Sequence, residues 1–181
     1  MNSVAISNPI ADARLIVVMG VAGCGKSSLA AALASQLGFT FFDADDFHSE
    51  ESRARMASGL PLTDAMRAPW VQSLHDRLKQ EARDGNSCTL AFSGLRKAHR
   101  DIIRKAGLKT LFLFLDGSKE VISDRLHKRV NHFMDPGLLD SQFDSLEKPQ
   151  EEPDIIRLDI KPPLESVVNQ ALTILSELPD W

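Results

Sequence analysis

The eight residues at positions 20–27, which read GVAGCGKS, have the clearest chemical meaning in the chain. They match the pattern G-x-x-x-x-G-K-[ST], in which backbone N–H groups and a helix N-terminus surround phosphate oxygens. In this pattern Lys26 reaches the β- and γ-phosphates, and the hydroxyl of Ser27 ligates Mg²⁺. The loop residues expected to bind phosphate are Gly20, Val21, Ala22, Gly23, Cys24, Gly25, Lys26, Ser27 and Ser28. The sequence therefore predicts a site for a nucleoside triphosphate.

The segments on either side of this loop support the prediction. The apolar run at 15–19 precedes it and indicates a buried strand. Leu29, Leu33 and Leu37 follow it at a helical spacing, and Gly38 is a suitable residue to end that helix. The alternative is a glycine-rich turn without function, but a strand before the turn and a helix after it are the context in which the motif binds phosphate.

Three carboxylates follow the next predicted strand, 39–43, at Asp43, Asp45 and Asp46. Ligands of parallel sheets bind at the carboxyl ends of the strands, so these side chains should face the same crevice as the phosphate loop. We expect Asp43 to hold Mg²⁺, through water, and Asp45 to bind an acceptor hydroxyl and help remove its proton. A solvated loop in which one aspartate caps a helix is the alternative.

Basic residues follow the third predicted strand, 88–92. Arg96 and Arg100 lie close to the strand end, where a planar guanidinium could bind a carboxylate or phosphate through two hydrogen bonds. Arg104 and Lys105 could equally belong to a solvated helix face.

Two further arginines precede the last predicted strand, in an interval whose position resembles that of the mobile lid of P-loop kinases. Arg125 and Arg129 are four residues apart, so one helical face would present both. We expect Arg129 to contact phosphate and to neutralise charge during transfer, and Arg125 to contact the nucleotide or to lie on the helix surface.

Short apolar segments alternate with helical patterns throughout the chain, which is typical of a parallel sheet covered by helices on both faces. Their composition favours strands that are buried on both faces. The predicted strands are 14–19, 39–43, 88–92, 109–115 and 154–160. The predicted helices are 27–37, 50–58, 69–83, 97–106, 118–129, 137–146 and 163–178. We predict one domain, 14–181, after a flexible tail at 1–13.

The composition fits an ordinary globular protein, with 43% hydrophobic and 25% charged residues. A net charge of −4 argues against nucleic acid or an anionic membrane as a partner. No apolar run approaches the length of a membrane span, and the N-terminus lacks the pattern of a signal peptide. The two cysteines, Cys24 and Cys88, favour a reducing cytoplasm over a disulfide. The five histidines lack the spacing of a zinc site.

Longer blocks resemble the gluconate kinases of the small P-loop type, in family order and spacing over roughly residues 14–170. The stretches 56–59 and 132–134 are more specific to that family than the phosphate loop is. The matching blocks are GVAGCGKSS (20–28), FFDADDFH (41–48), ARMASGLPLTDAMRAPW (54–70), SGLRKAHRDIIR (93–104), RVNHFMDPGLLDSQFDSLEKP (129–149) and DIIRLDIKPPLESVV (154–168).

The resemblance implies a three-layer α/β/α P-loop NTPase fold with a five-stranded parallel sheet, order 2-3-1-4-5, and a lid segment. It implies transfer of the γ-phosphoryl group of ATP to the 6-hydroxyl of D-gluconate, with Mg²⁺, by a cytoplasmic homodimer. The catalytic residues would be Lys26, Asp45 and Arg129. The acceptor would be bound by Asp45, His48, Arg67, Arg96, Arg100 and His132.

The chain departs from the usual family residues at several positions near the expected acceptor pocket and lid. Lysine is usual at Arg96 and glycine at Asn131, and the other departures are Ala44, Ser49, Met66, His99 and Val130. A fork-shaped guanidinium and a compact ammonium differ in geometry, so Arg96 could change how a carboxylate is read. A kinase for another sugar acid, a polyol or a shikimate-like acid remains an alternative, as does an inactive nucleotide-binding module.

Overall fold

Strands and helices alternate along residues 13–128 and 136–181, which are the residues that the computed structural model describes. The strands are β1 (Arg14–Met19), β2 (Thr40–Asp43), β3 (Cys88–Phe92), β4 (Lys109–Asp116) and β5 (Ile155–Asp159). The helices are α1 (Lys26–Leu37), α2 (Glu50–Ala57), α3 (Asp64–Asp84), α4 (Lys97–Arg104), α5 (Lys119–Lys128), α6 (Pro136–Ser145) and α7 (Leu164–Glu177), with a 3₁₀ helix at Ala44–Phe47.

The five strands form one sheet in the order β2-β3-β1-β4-β5, and every neighbouring pair is parallel. This arrangement confirms the predicted three-layer α/β/α fold and its strand order. The lid is not confirmed, because residues 129–135 lie outside the described part of the chain. The carboxyl ends of β1, β2 and β3 lie next to one another, and the predicted phosphate loop and carboxylates follow two of them.

The alternating side chains of β1 pack into two hydrophobic clusters on opposite faces of the sheet, as the pleat of a strand requires. Ile16 and Val18 join a cluster that includes residues of α1, α5 and α7. Leu15, Val17 and Met19 join a second cluster with residues of α3 and α4. Each of the five is fully buried, so the strand that carries the phosphate loop is packed tightly on both faces.

Helix α3 and both edge strands differ from the sequence-based prediction. Helix α3 begins at Asp64, not at residue 69, because the hydroxyl of Thr63 accepts a hydrogen bond from the N–H of Met66 and caps the helix. Pro69 therefore lies inside the helix and not in its first turn. Strands β2 and β5 are the edges of the sheet. Phe41 of β2 is 37% exposed and Arg157 of β5 is also exposed, so neither strand is buried on both faces.

The boundary between the predicted tail and the domain stays a prediction. Ala13, which was assigned to the tail, is buried, and its carbonyl accepts a hydrogen bond from the N–H of Lys109. Residues 1–12 lie outside the described part. Among the helices of residues 13–128 and 136–181, none combines the length and the apolar character that crossing a membrane requires.

Candidate active site

The phosphate loop joins the end of β1 to the start of α1, and two of its positions show why its backbone requires glycine. Gly25, the N-cap of α1, has a φ of 102°, which side chains rarely tolerate. Gly20 has a φ of 146°, and a Cβ there would lie 2.9 Å from the carbonyl oxygen of Leu115. The first glycine therefore lets the loop pass close to β4, and the later one turns the chain into the helix.

The loop also organises its own lysine. The Nζ of Lys26 donates a hydrogen bond to the carbonyl oxygen of Val21 at 3.0 Å, and the N–H of Cys24 points to the same oxygen at 3.4 Å. The ammonium group is thus held over the loop by one peptide carbonyl. Phosphate oxygens are stronger, charged acceptors and would compete for both donors.

Ser27 and Asp43, the two predicted metal ligands, are in direct contact. The hydroxyl of Ser27 donates to Oδ2 of Asp43 at 2.6 Å. The other oxygen, Oδ1, accepts a hydrogen bond from the N–H of Asp45 at 3.0 Å and caps the 3₁₀ helix. Asp43 is therefore the capping aspartate of the alternative interpretation, in which this segment is a solvated loop. The same carboxylate also contacts Ser27 of the phosphate loop.

A cavity of about 200 Å³ opens beside the phosphate loop, and we call it the acceptor cavity. Five of the predicted residues line it: Ala22, Lys26, Asp45, His48 and Arg67. The sequence did not single out the others, which are Met56, Pro61, Leu62, Trp70, Ser93, Leu95, Leu138, Ser141 and Gln142. Several of these lie within the family-like blocks, but isolated polar or apolar residues carry no periodic signal that marks them as cavity-lining.

His48 is a buried polar residue at the wall of the acceptor cavity. Its ring stacks on Trp70 at 4.2 Å between centroids, and the indole N–H of Trp70 donates to the carbonyl of Ala44 at 2.7 Å. Its Nε2 lies 3.7 Å from Oδ1 of Asp45, and its Nδ1 has no hydrogen-bond partner among the described residues. Burial lowers the pKa of His48 below its ordinary value and outweighs the nearby carboxylate of Asp45, which favours the charged ring.

This lowered pKa predicts a loss of stability in mild acid. The unfolded chain binds a proton at His48 near the ordinary value of 6.5, whereas the folded chain resists it. The contribution of the neutral His48 ring to the free energy of unfolding is therefore complete above that pH. It is lost as the pH falls toward the pKa of the folded state. Urea unfolding at about pH 7.5 and about pH 5.5 should show a smaller decrease for His48→Gln than for the wild type. Equal decreases would contradict a neutral buried ring.

Arg67 and Arg96 occupy different positions relative to the acceptor cavity. Arg67 lines it and forms an ion pair with Asp64 at 3.1 Å. Arg96 is the N-cap residue of α4, lies 3.6 Å from Glu147, and is absent from the cavity wall formed by the described residues. His99 lies near both arginines; burial lowers its pKa, and the charge of Arg67 lowers it further.

The structure corrects the expectation that Arg100 binds the acceptor. Arg100 is 1% exposed, and its guanidinium forms an ion pair with Glu152 at 2.6 Å. It also donates to the carbonyl oxygens of Gly94, Leu95 and Glu147. Burial alone would raise the pKa of Glu152, but hydrogen bonds from Arg100 and Arg104 hold it below its ordinary value. Arg100 is thus a structural cation that fastens the end of β3 to the segment before β5.

Replacing Arg100 with methionine should destabilise the fold by about 3–5 kcal/mol, because it leaves the buried carboxylate of Glu152 short of a partner. Lys97→Met is the matched control on the same helix, since the Lys97–Asp101 pair is exposed and should be worth at most about 1 kcal/mol. Urea denaturation of both variants measures the difference. Similar stabilities would show that the buried network is not needed.

A second cavity, of about 320 Å³, lies on the other side of the phosphate loop, and we call it the nucleotide cavity. Arg125 contributes to its wall and donates to the carbonyl of Ile160 and, at 3.5 Å, to that of Cys24. It is therefore half-buried against the loop and is not a free surface residue. The remaining wall residues are Gly23, Gly25, Ser28, Leu29, Leu115, Lys128, Pro162, Leu164 and Val167.

The predicted residues Arg129 and His132 lie outside the described part of the chain, as does Asn131. Their roles stay predictions. The described residues place the phosphate loop between the two cavities: Gly23, Cys24 and Gly25 face the nucleotide cavity, whereas Ala22 and Lys26 face the acceptor cavity.

Comparisons with known proteins agree with this geometry. A family model described as an AAA domain matches residues 15–152. A protein of Mus musculus named probable gluconokinase is 42% identical, with 87% of this chain and 97% of that protein covered. The gluconokinase of Gluconobacter oxydans is 39% identical, with 80% and 82% covered.

Solved structures lead to the same family. The crystal structure of a gluconokinase from Sinorhizobium meliloti superimposes with a TM-score of 0.83 at 36% identity, and the match covers 92% of this chain and 93% of that one. Sequence and structural similarity thus both extend over most of the chain. The chain belongs to the gluconokinase family of P-loop kinases.

Proposed function

We propose that the protein transfers the γ-phosphoryl group of ATP to the 6-hydroxyl of D-gluconate and releases 6-phospho-D-gluconate and ADP. The observation that carries this proposal is the phosphate loop between two cavities. A nucleotide whose phosphates lie on the loop would present its terminal phosphoryl group to the acceptor cavity, which Lys26 and Asp45 both line. Phosphoryl transfer depends mainly on such positioning and on charge stabilisation.

Asp45 is the residue proposed to receive the acceptor proton. The bond from the acceptor oxygen to the γ-phosphorus forms, and the bond from that phosphorus to the β–γ bridging oxygen breaks. The hydroxyl proton passes to a carboxylate oxygen of Asp45, and ADP leaves. Lys26 neutralises charge on the transferring group, as does Arg129 in the role that the family resemblance gives it.

Ser27 and Asp43 are proposed to hold Mg²⁺. A hydroxyl and a carboxylate already in contact at 2.6 Å form an oxygen donor pair of the kind this hard cation prefers. When bound, the ion neutralises phosphate charge at the nucleotide. The Asp43 carboxylate accepts a hydrogen bond from the N–H of Asp45, so one proposed metal ligand and the proposed base are parts of one turn.

One arginine and one neutral histidine are proposed to bind the acceptor. Arg67 supplies a guanidinium that can bind the carboxylate of an aldonic acid through two hydrogen bonds. His48 supplies a buried ring nitrogen without a partner among the described residues, which suits a sugar hydroxyl better than a second anion. Arg96 and His132 are further candidates from the resemblance.

The test is ADP release from Mg-ATP with D-gluconate, beside other sugar acids, polyols, shikimate and a blank without acceptor. Strong turnover that depends on gluconate is the expected result. Turnover with another acceptor and a blank-level rate with gluconate would keep the kinase and reassign its acceptor. A cytoplasmic location and a homodimer, both implied by the resemblance, are proposed as well, and light scattering of the purified protein tests the dimer.

A further inference from the structure

Gln142 makes a contact that none of the roles described so far explains. Its Oε1 accepts a hydrogen bond from the N–H of Ala22 at 2.7 Å, across 120 residues of chain. Gln142 lies on α6, and this helix supplies Leu138, Ser141 and Gln142 to the wall of the acceptor cavity. The contact therefore joins the acceptor side of the site directly to the phosphate loop.

The bonded N–H belongs to the same peptide unit as the carbonyl that holds the catalytic lysine. The peptide between Val21 and Ala22 carries the Val21 oxygen, which accepts from Lys26 Nζ at 3.0 Å, and the Ala22 N–H, which donates to Gln142. A peptide unit is planar and rigid, so fixing its N–H fixes the direction of its C=O. Gln142 thus orients the carbonyl that positions Lys26.

Helix α6 is anchored as well as exposed to the cavity. Leu139, on the same helix, is 4% exposed and packs in the hydrophobic cluster that also contains residues of α1. Asp140 forms an ion pair with Lys119 of α5 at 2.5 Å. Leu139 and Asp140 thus fix the helix against α1 and α5, and Gln142 links its cavity-facing side to the phosphate loop.

We propose that Gln142 is a positioning residue that couples acceptor binding to the placement of Lys26. An acceptor in its cavity packs against α6 and fixes the orientation of the Gln142 amide. The amide orients the Val21–Ala22 peptide, and the carbonyl of that peptide positions the ammonium of Lys26. The inference rests on the proposed function, since it requires an acceptor in this cavity. Binding of the acceptor and binding of the nucleotide would then each increase the affinity of the protein for the other.

The test measures acceptor affinity by calorimetry with and without a non-hydrolysable ATP analogue and Mg²⁺. In the wild type the analogue should tighten acceptor binding by about fivefold or more, and Gln142→Leu should reduce this coupling to about unity. The same variant should lower kcat by about tenfold, with the affinity for the analogue alone within about twofold of the wild type. Gln142→Glu, which keeps an oxygen for Ala22, should retain more of the coupling than Gln142→Leu.

Asp144→Asn is the control, because Asp144 lies on the same helix, is exposed and belongs to neither cavity wall. It should keep both coupling and kcat. Urea midpoints separate a positioning effect from unfolding, and Gln142→Met replaces the leucine variant if that variant does not fold. The proposal is overturned if the wild type shows no coupling, or if the leucine or methionine variant retains it. Wild-type turnover with gluconate tests the proposed function separately, and the coupling is measured with the acceptor that supports turnover.

Discussion

Lys26→Ala should lower kcat by at least about 10²–10³-fold while the protein stays folded. The ammonium group is the cation of the phosphate loop that faces the acceptor cavity, and its only hydrogen bond among the described residues goes to Val21. Without this ammonium group, the negative charge of the transferring phosphoryl group is no longer neutralised from the loop. The nearby side chains of Asp43 and Asp45 are anions and cannot take over that role. Lys26 has no carboxylate partner among residues 13–128 and 136–181, so the fold should lose little. Initial rates and urea unfolding measure the two quantities.

Lys105→Ala is the matched control for this substitution, since Lys105 is an exposed lysine at the C-cap of α4. It should keep the wild-type rate. A near-normal kcat for Lys26→Ala, with the control also unchanged, would remove the phosphate loop from the mechanism. A variant that fails to fold would instead show that the Val21 contact is structural.

Asp45→Asn should abolish most of the transfer, with a loss of about 10²–10⁴-fold in kcat and with ATP affinity within about twofold. The substitution keeps the shape of the side chain but removes the carboxylate that is proposed to accept the proton. The side chain is 84% exposed, so stability should not change. The metal pair of Ser27 and Asp43 is untouched, because Asp43 bonds the backbone N–H of residue 45 and not its side chain.

Asp46→Asn provides the comparison, because Asp46 is an exposed carboxylate one residue away that does not line the acceptor cavity. Single-turnover rates and nucleotide titrations of both variants distinguish chemistry from binding. If Asp45→Asn stayed active, Asp45 would be neither the base nor the anchor of the acceptor hydroxyl. If both variants lost activity equally, the cause would be the loss of one negative charge from this turn and not the position of the Asp45 carboxylate.

The sequence predicted those parts of the site that short-range patterns encode. The phosphate loop is one continuous motif between an apolar strand and a helix, so its place in the fold followed from residues 14–38 alone. The rule that strand ends share one edge of the sheet placed Asp43 in the same crevice as the phosphate loop, and in the structure Asp43 contacts Ser27 of that loop. The five parallel strands were visible as separate apolar runs, and their order matches the one that the resemblance implied.

The residues that sequence reasoning misjudged depend on long-range contacts. The sequence suggested that Arg100 binds substrate because it follows a strand end. In the structure its guanidinium is buried and pairs with Glu152, which lies 52 residues later in the chain. Gln142 reaches Ala22 across 120 residues, and a single glutamine on a short helix has no pattern that predicts such a partner. The 3₁₀ helix at Ala44–Phe47 is too short for a periodic signal.

The measurement that tests the account most directly is the identity of the product formed from Mg-ATP and D-gluconate, determined by phosphorus NMR and mass spectrometry. The account predicts 6-phospho-D-gluconate and ADP in equal amounts, and no product when the acceptor lacks its 6-hydroxyl. ADP with only inorganic phosphate, or phosphate on a different oxygen of gluconate, would contradict it.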